Sequence, residues 1–236
     1  MTVSDREELK RFVPVILSGG LPGFLMVAMA MLSNCFLNAM LSSLGSAAIA
    51  GVGLVRKVDQ LLYAVNQGIT QGMLPLVAYC YTSGRRGRMI AVIRFSAVCS
   101  EVFSLICMSI SLLFAPQLIW LFIRNAETIR FGSEFLRVIC LAIPVYTLTF
   151  VIIAVFQAVG RWKEAFVISI LHKGTLDILL MLLIFRWRGA GEIVWATPIS
   201  EVLALVIAAI FLYCFLKKDK FKDDIGDIIE KESLTD

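Results

Sequence analysis

Polar and apolar positions in this chain are segregated into long blocks rather than alternating at the period of a strand or along one stripe of a surface helix. Apolar blocks cover residues 12–41, 46–80, 89–114, 133–159, 164–185 and 192–216. A helix of about 20 apolar residues crosses the hydrocarbon core of a bilayer. The pattern therefore predicts an all-α membrane protein with six transmembrane helices. The first two blocks exceed the required length and must tilt, break or protrude. The stretch from Pro116 to Arg130 is amphipathic and too short to cross, so residues 116–130 are expected at the interface. Residues 1–11 form a polar N-terminal segment, and 217–236 form a charged tail. The opening "MTVSDREELKRF" has neither the apolar core nor the cleavage site of a signal peptide.

Loop charge orients the blocks, because Lys and Arg concentrate on the cytoplasmic side. One side carries Arg6, Lys10 and Arg11, then Arg85, Arg86 and Arg88, then Arg161 and Lys163, then Lys217, Lys218, Lys220 and Lys222. The other carries the bare turn "SSLGS", then Arg124 and Arg130, then Arg186 and Arg188. Both termini are expected in the cytoplasm, with the chain in the cell membrane and the lipid bilayer as its surroundings.

Composition agrees with the pattern. The chain is 59% hydrophobic and 17% charged, where soluble domains are about half apolar and about a quarter charged. The net charge of +4 sits in short loops, so no nucleic-acid partner is expected. Six cysteines are scattered singly and indicate neither a disulfide framework nor a metal site. No nucleophile–base pair or phosphate loop is visible, so an enzyme is not expected.

The second block is the most unusual. Gln60, Gln67 and Gln71 lie near one helical face, and Asp59, Tyr63, Asn66 and Thr70 form an adjoining stripe. Arg56 precedes Asp59 by three residues, so the two can pair. Gly68, Gly72 and Pro75 loosen the same helix and predict a hinge. Single amides of this kind often join helices in membranes. Two adjoining rows fit the wall of a hydrated cavity better, with Asn34 and Asn38 of the first block on the same interior.

The fifth block holds His172, Lys173 and Asp177, and the sixth holds Glu201. Asp177 lies nine residues before Arg186, and Glu201 nine after Glu192, which places both roughly 13 Å below the same surface. Lys173, one turn deeper, can reach either. Two readings remain open: a structural ion-pair cluster, or a site for H+ or Na+ in which close carboxylates share a charge. His172 fits a hydrogen-bonded packing role.

"GITQGMLPLVAYCYTSGRRGR" resembles the Q-G-x-x-P-L-x-x-Y-x-x-G-A segment of the multidrug and toxic compound extrusion (MATE) family, which there closes the second helix of each six-helix lobe. "FQAVGRWKEAFVISILHKGTLDILLMLLIF" followed by "GAGEIVWATPISEVLAL" resembles that family's closing helices, and "LIWLFIRNAETIRFGSEFLRV" its short segment before the tenth helix. The likeness runs from about Leu9 to Leu216. It departs where Cys80 replaces an Asn and where the motif's final Ala is missing after Gly84. The first and fourth blocks, with Asn34, Asn38 and Tyr146, lack the acidic cation ligand of some members.

The resemblance implies one lobe, the second, of a twelve-helix, two-lobe antiporter. Such a protein exports amphipathic, often cationic, organic compounds in exchange for H+ or Na+, with no other cofactor. Its cavity would be lined by Asn34, Asn38, Asp59, Tyr63, Asn66, Gln67, Gln71 and Tyr146. A single lobe needs a missing first lobe or a second copy of itself. The alternatives are a flippase of related fold for a lipid-linked substrate, with Arg56, Lys57 and Lys173 for its phosphate, and a truncated, non-transporting remnant.

Overall fold

The structure, a computed structural model, describes Val13, Gly20, Phe24 and residues 27–233, the side chains of Leu44, Lys173, Ala190 and 218–233 excepted. The start of the first apolar block and the whole 1–11 segment thus fall outside the described residues. The helices are α1 (Val27–Leu41), α2 (Ser46–Thr82), α3 (Arg86–Leu113), α4 (Ala115–Trp120), α5 (Ala126–Ile139), α6 (Ile143–Ala158), α7 (Trp162–Ile170), α8 (Leu176–Arg188) and α9 (Ala196–Ser233). No strand occurs among the described residues.

Local chemistry sets several of these ends. At both α2–α3 and α6–α7 the helix closes through a glycine in the left-handed region, Gly84 (φ 66°) and Gly160 (φ 75°). The next amide reaches back five residues, from Arg85 to Cys80 (2.9 Å) and from Arg161 to Phe156 (2.9 Å). This reversal satisfies carbonyls that the helix leaves open and puts the basic loops directly at the helix ends. The Asn125 carboxamide oxygen accepts the Glu127 and Thr128 amides (3.0 and 3.1 Å) and starts α5. That cap divides the expected interfacial stretch 116–130 between α4, a short turn and the first residues of α5. A single turn of 3-10 helix, Cys140–Ala142, then joins α5 to α6.

Three segments among the described residues are long and apolar enough to span a membrane: Arg86–Leu113, Ala126–Ala158 and Gly191–Lys217. The other blocks fall short for separate reasons. The first is described without interruption only from Val27 onward. The second, though 37 residues long as a helix, carries its charged and amide side chains. In the fifth, a π-helical segment, Leu171–Thr175, separates α7 from α8.

The bundle is built around α6. Its inward surface includes Ile143, Phe150, Ile153 and Phe156, packed with Ile168 of α7 and Ala208 and Phe215 of α9. Its opposite side meets α2 and α3 through Val151, Ala154 and Val155 against Met73, Val77 and Met89. A third cluster joins the ends of α1 and α2 to α4 and α5 through Leu37, Leu41, Val52, Ile119 and Leu136. There α2 and α5 approach closely. A methyl group on Gly51 would lie 2.9 Å from the Gly132 amide nitrogen, a distance that no side chain tolerates without backbone movement.

Candidate functional site

The two polar stripes of α2 have different surroundings. Asn66 and Thr70 are buried, and Asp59 and Tyr63 are half-buried. The Asn66 carboxamide nitrogen donates to the Thr147 hydroxyl of α6 (3.1 Å), which in turn donates to the Ile143 carbonyl (2.8 Å). The Tyr146 hydroxyl donates to an Asp59 carboxylate oxygen (3.3 Å). Tyr63 packs edge-on against Phe150 at 4.9 Å between ring centres, and Phe150 also meets Tyr146 and His172 edge-on. Gln60, Gln67 and Gln71, with Gly68, Gly72 and Pro75, are exposed along the other stripe, and α2 runs unbroken through Pro75.

The fifth block brings His172 and Asp177 inward around the π-helical segment. Such a segment shifts the register of one turn and turns side chains out of the ordinary helical sequence of faces. His172 is fully buried, and its Nδ1 lies 2.5 Å from Glu201 Oε2 of α9. The two buried groups face each other at this distance without the alignment of a hydrogen bond. Asp177 accepts from the Ser33 hydroxyl of α1 through one oxygen and from the Ser200 hydroxyl of α9 through the other (3.2 Å). Asp177 and Glu201 are 4% and 1% exposed, so both acids lie inside, each with its own partner. The Lys173 side chain lies outside the described residues. Gly174 is pressed against α1: a methyl group there would come within 2.8 Å of the Met29 thioether.

A cavity of about 270 Å³ opens between α1 and α2. Ser33, Asn34, Arg56, Asp59, Gln60 and Tyr63 form its polar wall, and it reaches Asp177. Val27, Ala30 and Met31 form the apolar wall. Of the residues expected to line a cavity, Asn34, Asp59 and Tyr63 do so here, and Tyr146 stands behind Asp59. Asn66 points into the lobe, while Asn38, Gln67 and Gln71 are exposed away from this space.

The pair expected between Arg56 and Asp59 does not form. Asp59 turns to Tyr146, and Arg56 Nε and Nη2 are shielded from solvent with no hydrogen-bond partner among the described residues. The clamp on Asp177 by Ser33 and Ser200 was not visible in the sequence. Serines are common in apolar helices, and nothing in their spacing links three separate blocks. A stripe on α3 was missed for the same reason: Ser96, Ser100, Ser104 and Ser111 are all buried against neighbouring helices.

Comparison with known proteins gives this arrangement a context. The chain is 25% identical over 221 residues to the multidrug export protein MepA of Staphylococcus aureus (strain NCTC 8325 / PS 47), covering 94% of this chain and 48% of that protein. It is 26% identical over 230 residues to MepA of Staphylococcus saprophyticus, covering 98% of this chain and 50% of that one. The chain thus spans about half the length of the curated relatives it matches. In three dimensions it resembles the Vibrio cholerae MATE transporter VcmN in its bent form, with a TM-score of 0.80 at 16% identity, over 90% of this chain and 48% of that one. The fold is therefore the all-α membrane fold of about half a MATE transporter. A model of the MatE family matches residues 22–183, more than half of the sequence, and the chain belongs to the MatE family of membrane transporters.

Proposed function

We propose that this chain is one lobe, the second, of a secondary antiporter that exports amphipathic organic compounds from the cell in exchange for H+ or Na+. The multidrug export role in the names of its Staphylococcus relatives supports the substrate class. The observation that carries the reading is the α1–α2 cavity, where an apolar wall faces a polar one and the space reaches the serine-held carboxylate of Asp177. A compound with an apolar body and a charged group meets both requirements there. In this reading Asp177 and Glu201, with Lys173, are the candidate coupling groups. The exposed Gln60, Gln67 and Gln71 face a first lobe or a second copy, which completes the path. Both termini lie in the cytoplasm of a cell-membrane protein.

Efflux of a cationic dye from proteoliposomes tests this, with the chain alone and with a co-expressed first lobe, under an H+ gradient, an Na+ gradient or neither. Gradient-driven efflux in one assembly is the expected result. The pair Asp177→Asn and Glu201→Gln together should abolish the gradient dependence while dye still binds. Efflux that ignores both gradients, or none in either assembly, overturns the antiporter reading. For orientation, a cysteine at Arg86 should react with impermeant reagents only from inside, and one at Gly45 only from outside.

A further inference from the structure

We infer that the groove between α2 and α3 holds one anionic phospholipid, with an acyl chain in the groove and the headgroup phosphate on Arg85 and Arg88. Such a site depends on the membrane setting of the chain and not on transport.

The groove is a gap that the two helices leave open. A cavity of about 400 Å³ runs along nearly two turns of each, lined by Ile69, Gly72 and Leu76 on α2 and by Ala91, Val92 and Phe95 on α3. Small residues usually draw membrane helices together. Gly51 does so against Gly132, but a methyl group on Gly72 would meet no neighbouring helix within 4 Å. Leu76 and Phe95, 55% and 73% exposed, leave the rim open to the surroundings. In a bilayer an open apolar groove of this kind is filled by hydrocarbon.

Helix geometry separates the groove from the exposed amides. At 3.6 residues per turn, Gln60, Gln67 and Gln71 fall on one side of α2, and Ile69, Gly72 and Leu76 fall on the opposite side. A neighbouring lobe seated on the amide stripe therefore leaves the groove facing lipid.

The loop at the end of the groove selects the headgroup. Arg88 lies three and four residues before Ala91 and Val92 and seven before Phe95, so it stands on the same face of α3, one turn beyond the groove. Arg85 flanks it, and both are exposed with no ion pair among the described residues. On α2, Tyr79 is 60% exposed one turn beyond Leu76, the kind of position that Tyr takes at a membrane–water boundary. From Gln60 to Ser100 the chain has four arginines and no acid. A zwitterionic headgroup would bring its ammonium to these arginines with no carboxylate in this stretch to receive it, whereas a headgroup of net negative charge meets them directly. A free phosphate matches the arginines but leaves the groove empty. On the orientation proposed above, the headgroup lies in the cytoplasmic leaflet, whose surface is negative.

Native mass spectrometry of the purified full chain, offered equal amounts of dioleoylphosphatidylglycerol and dioleoylphosphatidylcholine, reads the site without any ion gradient. The expected outcome is one retained lipid, with phosphatidylglycerol preferred. Arg85→Gln together with Arg88→Gln should lower that preference at least about fivefold. Arg94→Gln, on another face of α3, should leave it unchanged. Gly72→Leu sends a side chain into the open space and favours the helix, so it should displace both lipids from a folded protein, and Ala91→Leu should do the same from α3. Equal retention of the two lipids by the parent chain, or an unchanged preference in the double arginine variant, overturns the headgroup site. Undiminished retention in both leucine variants overturns the groove. So does displacement of phosphatidylglycerol by an equal amount of glycerol 3-phosphate, which would mark an anion site without a lipid. A parent chain that is a lipid-free dimer, turned monomeric by Gly72→Leu, would assign the groove to a second copy and overturn the lipid.

Discussion

The polar stripes of α2 and the polar cluster around the π-helical segment are built from similar residues, yet they sit in the fold differently. On α2, Gln60, Gln67 and Gln71 stay at the surface while Asn66 one stripe over is fully buried against Thr147. In the second region every described acid is enclosed. His172 meets Glu201, and Asp177 is held from two other helices by Ser33 and Ser200. The first region presents polarity at the surface of the bundle, and the second uses polarity to tie α1, the π-helical segment, α8 and α9 together. Burial separates the two, since an exposed amide exchanges its partner for water at little cost and a buried carboxylate loses more when its partner goes.

Substitutions sharpen that contrast, and the largest effect is expected in the enclosed cluster. Glu201→Ala removes the side chain that faces His172 and leaves a gap at a site with almost no solvent, and should lower stability by about 2–5 kcal/mol. Thermal unfolding of the purified chain in detergent would read it, and a change below about 1 kcal/mol would mean that the cluster is wetter than its burial implies. Next comes the tight face of α2. Gly51→Ala places a methyl against the Gly132 backbone and should cost about 1–3 kcal/mol by the same measurement. An unchanged unfolding temperature would show that α2 and α5 separate easily.

Asn66→Leu removes one interhelical hydrogen bond while Thr147 keeps its bond to Ile143, so a loss of about 1 kcal/mol is expected. The smallest effect belongs to the exposed stripe. Gln67→Leu and Gln71→Leu should each stay within about 0.5 kcal/mol of the parent in unfolding. The same two variants should reduce dye efflux in the proteoliposome assay. Lost stability with intact efflux would reverse the comparison and make the stripe a packing contact.

The sequence alone determined that the chain is helical and belongs in a membrane. Apolar blocks of bilayer length admit few other solutions, because backbone amides in hydrocarbon must be satisfied within the helix. It also marked α2 as two-sided, since Asp59, Tyr63, Asn66 and Thr70 repeat at a spacing that a helix turns into one stripe. The depth match of Asp177 and Glu201 was legible too, because antiparallel helices share a rise per residue. The tertiary structure decided the partners. Depth says nothing about rotation around the helix axis, and in this fold the π-helical segment resets that rotation between His172 and Asp177. Glu201 therefore meets His172, Asp177 is claimed by two serines, and Asp59 leaves Arg56 for Tyr146. Each of these contacts joins helices distant in sequence, and only the packing of the bundle around α6 brings such side chains within bonding reach.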